Sequence, residues 1–424
     1  MSFIANIRIF SFAICIAAIA SSCHTAEKQR IAEFEQQVEQ IRADYQNVGL
    51  ALVAVKNNKV VYSKAFGYQT LPDSLSTPLR GESEGALSPN HLFRIASISK
   101  SFTTIGILQQ IEQGKTTLDT DAGDLLGFPL RNPAFPDSVI TIERLLSHTS
   151  SINGSFYRVD DINPSLNPDY QKAYNSYAPG CGYQYCDFNI TLAGAILEIL
   201  SGCRFDEYIR KNILLPLGIE GGFNVDSLNQ DLLVTLYSVE KDQTPDAYTN
   251  CYNHIDLSDY RLGHDTYLFA PASGLKISAN GLATYMLMLM NFGTTPGGVT
   301  IVDSELVKDM YRQRFESYHH CGLTLLRTDD YSPGVNLYGH KGGAYGMRSA
   351  YYFHPEKKYG FIVISNGSLY SPNPSPLTSN LSPITFNLSP LYQSDNEGDT
   401  SIRVPLLRLM YQTWGDAQTN LRIH

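Results

Sequence analysis

The sequence has little charge and no excess of basic residues. Charged residues make up 17% of the 424-residue chain, and acidic residues outnumber basic ones to give a formal net charge of −9. Nucleic-acid and anionic-membrane partners favour basic patches, so this balance argues against both. The chain also lacks any run of eighteen apolar residues, which excludes a polytopic membrane protein.

Cysteine is scarce, and its spacing favours neither a metal site nor a disulfide framework. There are 7 cysteines and no Cys-x-x-Cys pair, and a chain of this length does not need disulfides to build its core. The stretch His319-His320-Cys321 fits a loop better than a metal site, and no metal or organic cofactor is expected. The pairing stays open among five cysteines, of which at least one is unpaired: Cys181, Cys186, Cys203, Cys251 and Cys321.

The N-terminus resembles a bacterial lipoprotein signal. Arg8 precedes the apolar stretch "IFSFAICIAAIA", and small residues then lead into Cys23. We therefore expect residues 1–22 to be a signal peptide and Cys23 to be the lipid-bearing first residue of an exported lipoprotein, on the periplasmic or cell-envelope face. Ala20 replaces the commoner leucine three positions before Cys23, so a plain secretory signal is the alternative. Membrane contact is expected through the lipid anchor only.

The apolar spacing predicts strands near both ends of the chain and helices between them. A helix is expected over residues 27–46, and then a β-hairpin that turns at Asn57-Asn58. A long apolar helix is expected from residue 275, followed by strands in "GLTLLRTD", "NLYGHKGGA" and "MRSAYYFHPEKKYGFIVISNG", and by a final helix in "VPLLRLMYQTW". This order predicts an α+β fold with one antiparallel sheet built from both ends and an inserted, mainly helical region.

Three serines are followed by a lysine three residues later, but only one of these pairs opens a strongly predicted helix. The pairs are Ser97 with Lys100, Ser238 with Lys241, and Ser273 with Lys276. Apolar residues at helical spacing follow Ser97, so Ser97 and Lys100 should share one face of the first helical turn. Ser238 lies in a segment without clear periodicity. Ser273 precedes a glycine, where a serine ordinarily caps or turns.

The chemistry of such a pair needs further groups, and the sequence contains candidates for them. A serine hydroxyl becomes a nucleophile at neutral pH only with a base in hydrogen-bonding reach, which a lysine can be when its pKa is lowered. The site also needs a proton relay and two backbone N–H groups for an oxyanion. Tyr185 in "PGCGYQYCDFN" is a candidate relay, with Tyr183 as its competitor. His340 precedes Gly342 and Gly343, which permit close backbone approach.

These groups, in this order, resemble the motifs of the serine β-lactamase and penicillin-binding-protein superfamily. The family's motifs are Ser-x-x-Lys, Tyr-x-Asn and Lys/His-x-Gly. "LLSHTSSI" is similar to the family's "LLTHTSGL", and "PASGLKISANGLATYM" to its "PAGGLYSTAEDLARFL". The likeness covers residues 32–366 and is greatest to class C β-lactamases, D-alanyl-D-alanine carboxypeptidases and related esterases. The corresponding stretches here are Ser97-Ile-Ser-Lys100, Tyr185-Cys-Asp187 and His340-Lys-Gly342.

The resemblance implies a role for each residue. Ser97 would attack a carbonyl and form an acyl-enzyme, and Lys100 and Tyr185 would share the proton transfers, with the base undecided between them. His340 would hydrogen-bond near Tyr185 and the substrate, and the backbone N–H groups of Ser97 and Gly343 would form the oxyanion hole. Substrate contacts are expected from three further positions: Asp187, Lys341 and Gly342.

Two departures from the family pattern bear on the substrate. Asp187 stands where β-lactamases and peptidases of the family usually have asparagine. His340 replaces the commoner lysine, and Lys341 occupies a position often held by threonine or serine. Both changes weaken a β-lactamase interpretation. They leave a serine hydrolase that acts on a peptide, amide or ester at the cell envelope, with a carboxylesterase specifically, or a non-catalytic acyl-binding protein on the same fold, as alternatives.

The resemblance also implies the β-lactamase-like form of the α+β fold, in which helices flank an antiparallel sheet. Residues 23–113 and 275–424 would form the sheet part of one hydrolase domain, and residues 114–274 the inserted helical region. The partner expected is a small-molecule or peptide substrate. Neither the substrate itself nor the oligomeric state follows from the sequence.

The lipoprotein interpretation of Cys23 can be tested directly. Expressed in a bacterial host with its signal intact, the protein should partition into detergent and carry a lipid mass on Cys23, as intact-mass spectrometry would show. A Cys23→Ser variant should lose both properties. A water-soluble product cleaved at another position in the unsubstituted chain would contradict the anchor.

Overall fold

The computed structural model describes residues 25–71, 85–155, 162–239, 245–248, 252–315, 321–332, 334–368 and 399–415. The predicted signal peptide, Cys23, Cys251 and Lys241 lie outside these residues. Within them four cysteines are free thiols: Cys181, Cys186, Cys203 and Cys321.

The helices and strands follow the predicted order. The strands are β1 (Gly49–Lys56), β2 (Lys59–Gly67), β3 (Phe93–Arg94), β4 (Gly221–Gly222), β5 (Leu236–Val239), β6 (Pro245–Tyr248), β7 (Lys276–Ile277), β8 (Leu326–Thr328), β9 (Leu337–Ala344), β10 (Met347–His354) and β11 (Tyr359–Ser365). The helices are α1 (25–44), α2 (Ser99–Glu112), α3 (Ala122–Leu126), α4 (Ile142–Leu146), α5 (Asp187–Ser201), α6 (Phe205–Ile209), α7 (Ala279–Met290), α8 (Ser304–Tyr311) and α9 (Arg403–Trp414).

A six-stranded antiparallel sheet joins the two ends of the chain. Its strand order is β2-β1-β11-β10-β9-β8, so β11 lies between the N-terminal hairpin and the C-terminal strands. Leu52 pairs with Val363 in this junction. The helices α3 to α6 lie within residues 114–274. This arrangement confirms the predicted α+β fold with an antiparallel sheet flanked by helices.

Both faces of the sheet are covered, and strand alternation divides the core between them. In a strand, successive side chains point to opposite faces. On β1, Ala51, Val53 and Val55 belong to the core that contains α2, α5 and α7. Leu50, Leu52 and Ala54 belong to the core that contains α1 and α9. The sheet is therefore a central layer, which explains why β1 and β11 are almost continuously apolar.

Local sequence accounts for the turn in the hairpin and corrects one helix boundary. Asn57 and Asn58 both have positive φ, at 51° and 62°, which suits a two-residue hairpin turn. The helix expected from residue 275 begins at Ala279 instead. The hydroxyl of Ser278 accepts a hydrogen bond from the backbone N–H of Gly281 and caps the helix, while β7 occupies the two residues before it.

The sequence did not predict the five short strands β3 to β7 or the helix α8. The strands β3, β7 and β4 form a three-stranded sheet, and β5 pairs with β6. Ladders this short have no periodicity to detect.

In the described parts of the chain, each helix taken alone is too short or too polar to span a membrane. Two successive segments, Asp187–Ser201 and Phe205–Leu214, together have the length and apolar composition of a span, but they are bent by 78° relative to each other.

Candidate active site

Ser97 lies in a tight turn at the start of α2. It belongs to a 3-10 turn over Ala96–Ile98, directly before the α-helix begins. Ala96 adopts a left-handed φ of 47°, which is unusual for a residue with a side chain and costs on the order of 1 kcal/mol. The hydroxyl of Ser99 donates to the carbonyl oxygen of Ala96 at 2.6 Å and holds this conformation.

Close approach between β9 and this turn depends on Gly342. A Cβ atom at Gly342 would lie 2.3 Å from the carbonyl oxygen of Ile95 and 3.2 Å from the backbone nitrogen of Ser97. Any side chain there would push the strand away from Ser97. The hydroxyl of Ser349, opposite Gly342 on β10, donates to the same Ile95 oxygen at 2.8 Å. The predicted close approach at Gly342 therefore exists, and it brings the strand to the serine.

Lys100 is completely buried, and its ammonium group has several polar neighbours. Its Nζ donates to Ser97 Oγ at 3.0 Å and to the carbonyl oxygen of Ala272 at 3.0 Å. It also forms an ion pair with Asp187 Oδ1 at 2.7 Å. A buried charge needs such partners, because an uncompensated one is very costly. The Ser97–Lys100 spacing predicted from the sequence thus becomes a direct hydrogen bond.

Tyr185, rather than Tyr183, reaches this pair. The Lys100 ammonium lies 4.8 Å from the centre of the Tyr185 ring. Although 37% of Tyr185 is exposed, its hydroxyl is close enough to the side chains of Lys100 and Ser97 for both to lower its pKa. Burial of the hydroxyl has the larger effect and raises the pKa of Tyr185. Tyr183 instead lies beside the Cys321 thiol.

Asp187 is the first residue of α5, where its carboxylate also interacts favourably with the helix dipole. Its side chain is 58% exposed, unlike that of its partner Lys100. One carboxylate oxygen is bonded to Lys100, and most of the group faces solvent. An amide at this position could donate a hydrogen bond to a ligand, whereas an ionised carboxylate can only accept one.

His340 and Lys341 differ in which side of β9 they occupy. The His340 ring is buried, and its centre lies 6.2 Å from that of Tyr185. Its Nδ1 lies 2.6 Å from the carbonyl oxygen of Lys341, which can only accept, so Nδ1 carries the proton. Because side chains alternate along a strand, Lys341 points to the opposite face. The structure therefore brings His340, but not Lys341, to the face on which Tyr185 lies.

The free edge of β9 runs past the serine. The strand β8 pairs with β9 only over Leu337 to Gly339, so the described ladder leaves residues 340–344 unpaired along that edge. Gly343 lies in this open stretch and is exposed. Backbone N–H groups on an open edge can donate to a ligand. This placement is compatible with the predicted oxyanion hole formed by Ser97 and Gly343.

The second complete Ser-x-x-Lys pair among the described residues forms no comparable site. The ammonium of Lys276 donates to the carbonyl oxygen of Phe223 at 2.8 Å. The hydroxyl of Ser273 accepts from the Arg94 guanidinium at 3.2 Å. These two side chains therefore have structural partners of their own.

His148 is a buried neighbour of Tyr185. Its backbone has a left-handed φ of 59°, and its ring lies 4.6 Å from the Tyr185 ring between centres. Its Nδ1 accepts from the backbone N–H of Cys186 at 3.3 Å, and its carbonyl accepts from that of Gln184 at 2.9 Å. Burial lowers the pKa of His148 well below its ordinary value, and the charges of Lys100 and His340 act in the same direction. A neutral imidazole thus holds the residues on both sides of Tyr185.

Sequence reasoning missed three groups near the site: the carbonyl of Ala272, the hydroxyl of Ser349 and the guanidinium of Arg403. Ala272 lies in a stretch that resembles the family, but the stretch does not show that its carbonyl binds Lys100. Ser349 and Arg403 had no usable signal, because both lie far along the chain from Ser97.

Known proteins resemble this chain in sequence. A sequence model described as Beta-lactamase matches residues 34–376. Penicillin-binding protein 4 of Amycolatopsis lactamdurans is 31% identical over 139 residues, which cover 32% of this chain and 36% of that protein. Protein flp of Staphylococcus aureus strain MRSA252 is 28% identical over 176 residues, covering 40% and 33%. The match thus spans about a third of the length of these curated relatives.

Solved structures share the fold. The octameric penicillin-binding protein homologue from Pyrococcus abyssi superposes with a TM-score of 0.65 at 24% identity, covering 81% of this chain and 74% of that one. EstCE1, a hydrolase with promiscuous acyltransferase activity, gives 0.64 at 19% identity, covering 91% and 99%. A D-amino acid amidase from Ochrobactrum anthropi SV3 gives 0.57 at 17% identity, covering 78% and 90%.

The state of His148 predicts a pH-dependent term in stability. Because folding lowers the pKa of His148, the unfolded chain binds a proton at this imidazole more readily than the folded protein does. The contribution of His148 to the free energy of unfolding is therefore present above its unfolded pKa of 6.5 and is lost as the pH falls below that value. The loss can reach about 1.4 kcal/mol per pH unit. In His148→Asn, an acceptor that tolerates positive φ replaces the imidazole without titrating. Denaturant unfolding between pH 5 and 7.5 should therefore show a steeper loss for the unsubstituted protein, whereas parallel curves would contradict the assignment.

Proposed function

Because the chain belongs to the Beta-lactamase family, we propose that it is a serine hydrolase that forms an acyl-enzyme on Ser97. The observation that carries the proposal is the 3.0 Å hydrogen bond from Lys100 Nζ to Ser97 Oγ, with the Tyr185 ring 4.8 Å from the same ammonium. A nucleophile and its proton acceptor need this distance to exchange a proton.

The proposed reaction proceeds in two halves. Ser97 Oγ attacks the substrate carbonyl while its proton passes to the Lys100–Tyr185 pair. The N–H groups of Ser97 and Gly343 stabilise the oxyanion, the leaving group departs with a proton from the same pair, and an acyl-serine remains. Water then attacks the acyl-serine ester and gives a proton to the pair. The bond between the acyl carbon and Ser97 Oγ breaks, the pair returns the proton to Oγ, and the acid product leaves.

The surroundings of Lys100 and Tyr185 indicate which of the two accepts the serine proton and which relays a proton to the leaving group. Since burial raises the pKa of Tyr185, this residue is a phenol at neutral pH and can give a proton before it accepts one. It is therefore better suited to relay a proton to the leaving group than to begin as the base. Lys100 is therefore the better candidate to accept the proton of Ser97, although its ion pair with Asp187 competes with that role.

A finer proposal concerns the substrate, and it rests on Asp187. A carboxylate there accepts hydrogen bonds only, so it offers no donor to the carbonyl of an acylamino side chain. Its ion pair with Lys100 also engages the group that would accept the serine proton. Esters react more readily than amides and tolerate a weaker base. We therefore favour simple esters over β-lactams or D-amino-acid peptides, in line with an esterase within the proposed hydrolase class.

The location of the reaction is a separate proposal. We infer that the protein acts at the cell envelope, and this rests on the expected lipid anchor at Cys23.

The role of Ser97 is tested by covalent labelling. Ser97→Ala should lose labelling by a fluorophosphonate probe and nearly all ester turnover. Ser238→Ala and Ser273→Ala should keep both, because neither hydroxyl contacts Lys100. Lys100→Ala should slow acylation by several orders of magnitude, because such groups act as a unit. Labelling that persists in Ser97→Ala, located by peptide mass spectrometry, would rule out this mechanism.

The role of Asp187 is tested by a selectivity ratio. The kcat/KM for 4-nitrophenyl butyrate should exceed that for an acylamino substrate such as a D-Ala-D-Ala peptide. Asp187→Asn should shift the ratio toward the acylamino substrate by roughly 5- to 150-fold, the equivalent of about 1–3 kcal/mol for one regained hydrogen bond.

A matched control separates this effect from a general change in charge. Asp226→Asn also removes a carboxylate from an ion pair, but its partner is the exposed His254. It should leave the ratio unchanged. If Asp187→Asn leaves the ratio unchanged as well, Asp187 has no part in substrate selection.

A further inference from the structure

Arg403, the first residue of α9, contacts the strand that carries the proposed oxyanion donor. Its Nη1 donates to the carbonyl oxygen of Gly342 at 2.7 Å and lies 3.4 Å from that of Ser349. Gly342 and Ser349 are directly opposite each other on β9 and β10. A single nitrogen atom reaches both oxygens only if both carbonyls point into the space between the two strands.

The direction of the Gly342 carbonyl fixes the direction of the next N–H. The carbonyl of Gly342 and the N–H of Gly343 belong to one peptide group, and the described chain has no cis peptide bond. A trans peptide points its carbonyl and N–H in opposite directions. The Gly343 N–H therefore leaves β9 on the other side, along the open edge that passes Ser97.

We propose that Arg403 is a positioning residue for the oxyanion hole, which holds and polarises the Gly342–Gly343 peptide from behind. The inference rests on the proposed acyl-enzyme chemistry of Ser97. A charge-assisted hydrogen bond to the carbonyl is stronger than a neutral one, and hydrogen bonds in series strengthen each other. The N–H at the far end of the peptide thus becomes a better donor, and it is already oriented before the oxyanion forms.

Asp399 keeps the guanidinium in place. Arg403 is 8% exposed, and its Nε donates to Asp399 Oδ2 at 2.6 Å. Burial alone would raise the pKa of Asp399, but the charge of Arg403 and hydrogen bonds from Ser401 outweigh it and lower the pKa. The carboxylate therefore stays ionised and orients the arginine. The series runs from Asp399 through Arg403 to the peptide and its N–H.

Helix stability alone does not explain an arginine at this position. A cation in the first turn of a helix opposes the positive end of the helix dipole. A second guanidinium, that of Arg348, lies beside Gly343, and burial together with the Arg403 charge lowers the pKa of Arg348. Two cations are thus held behind one peptide group. That placement is unfavourable for the helix, but it is favourable for the negative charge that develops on the substrate oxygen bound by the Gly343 N–H.

The test compares an ester with its thiono analogue, in which sulfur replaces the carbonyl oxygen. A developing thiolate accepts hydrogen bonds less well than an oxyanion, so a strong oxyanion hole favours the oxygen ester. For 4-nitrophenyl butyrate, Arg403→Gln should lower kcat by about 10-fold or more and change KM little. This decrease should be smaller than the decrease in kcat caused by removing an oxyanion-hole donor altogether. The ratio of kcat/KM between oxygen ester and thionoester should fall in parallel. Arg403→Lys, which keeps the charge, should recover part of both.

Arg408→Gln is the matched control. Arg408 lies on the same helix and donates to the carbonyl oxygen of Asp330 at 3.4 Å, away from Ser97. Its variant should keep the oxygen-to-sulfur ratio. An equal loss of kcat/KM on both esters in Arg403→Gln would overturn the proposal. If the glutamine variant does not fold, an equal loss on both esters in Arg403→Lys would do the same. A wild-type protein that neither labels at Ser97 nor turns over either ester would instead refute the proposed function.

Discussion

The buried ammonium of Lys100 is the interaction on which the site depends. A fully buried cation must be compensated, and its three partners come from three distant parts of the chain: Ser97, Asp187 and the carbonyl of Ala272. Bringing them together fixes α2 against the start of α5 and the segment before β7. The requirement to satisfy one charge thus positions Ser97 and the entry to α5.

The sheet contributes strand β9 to the site, and the backbone of this strand comes into close contact with the turn that holds Ser97. Gly342 lets β9 approach the turn that holds Ser97, and Ser349 ties β10 to the same turn through Ile95. Strand β9 can hold this position because β10 and β11 connect it to β1 at the centre of the sheet, with helices packed on both faces. Catalytic geometry of this kind is more rigid on strands and helix starts than it would be on loops.

Charge distinguishes this site from the family pattern that its sequence resembles. An asparagine beside Lys100 would be neutral, whereas Asp187 pairs with the ammonium and leaves most of its carboxylate exposed. His340 brings an imidazole where lysine would bring an ammonium group. Asp187 contacts Lys100 and the His340 ring lies near that of Tyr185, although the two residues are about 150 positions apart in sequence. Together they make the site less cationic, which is the physical basis for favouring neutral esters.

The sequence by itself determined the main elements, the order of the motifs and the residue types at the site. Helical spacing after Ser97 and alternation in the late strands are local signals, so α2, β9, β10, β11 and α9 were predicted with small boundary errors. The choice between Tyr185 and Tyr183 depended on which hydroxyl reaches Lys100, and only the tertiary structure decided it. The same holds for His148, whose ring packs on Tyr185, and for Arg403, which lies 61 residues from Gly342. Contacts between distant segments arise from packing and the closing of the sheet, and no local pattern of residues records them.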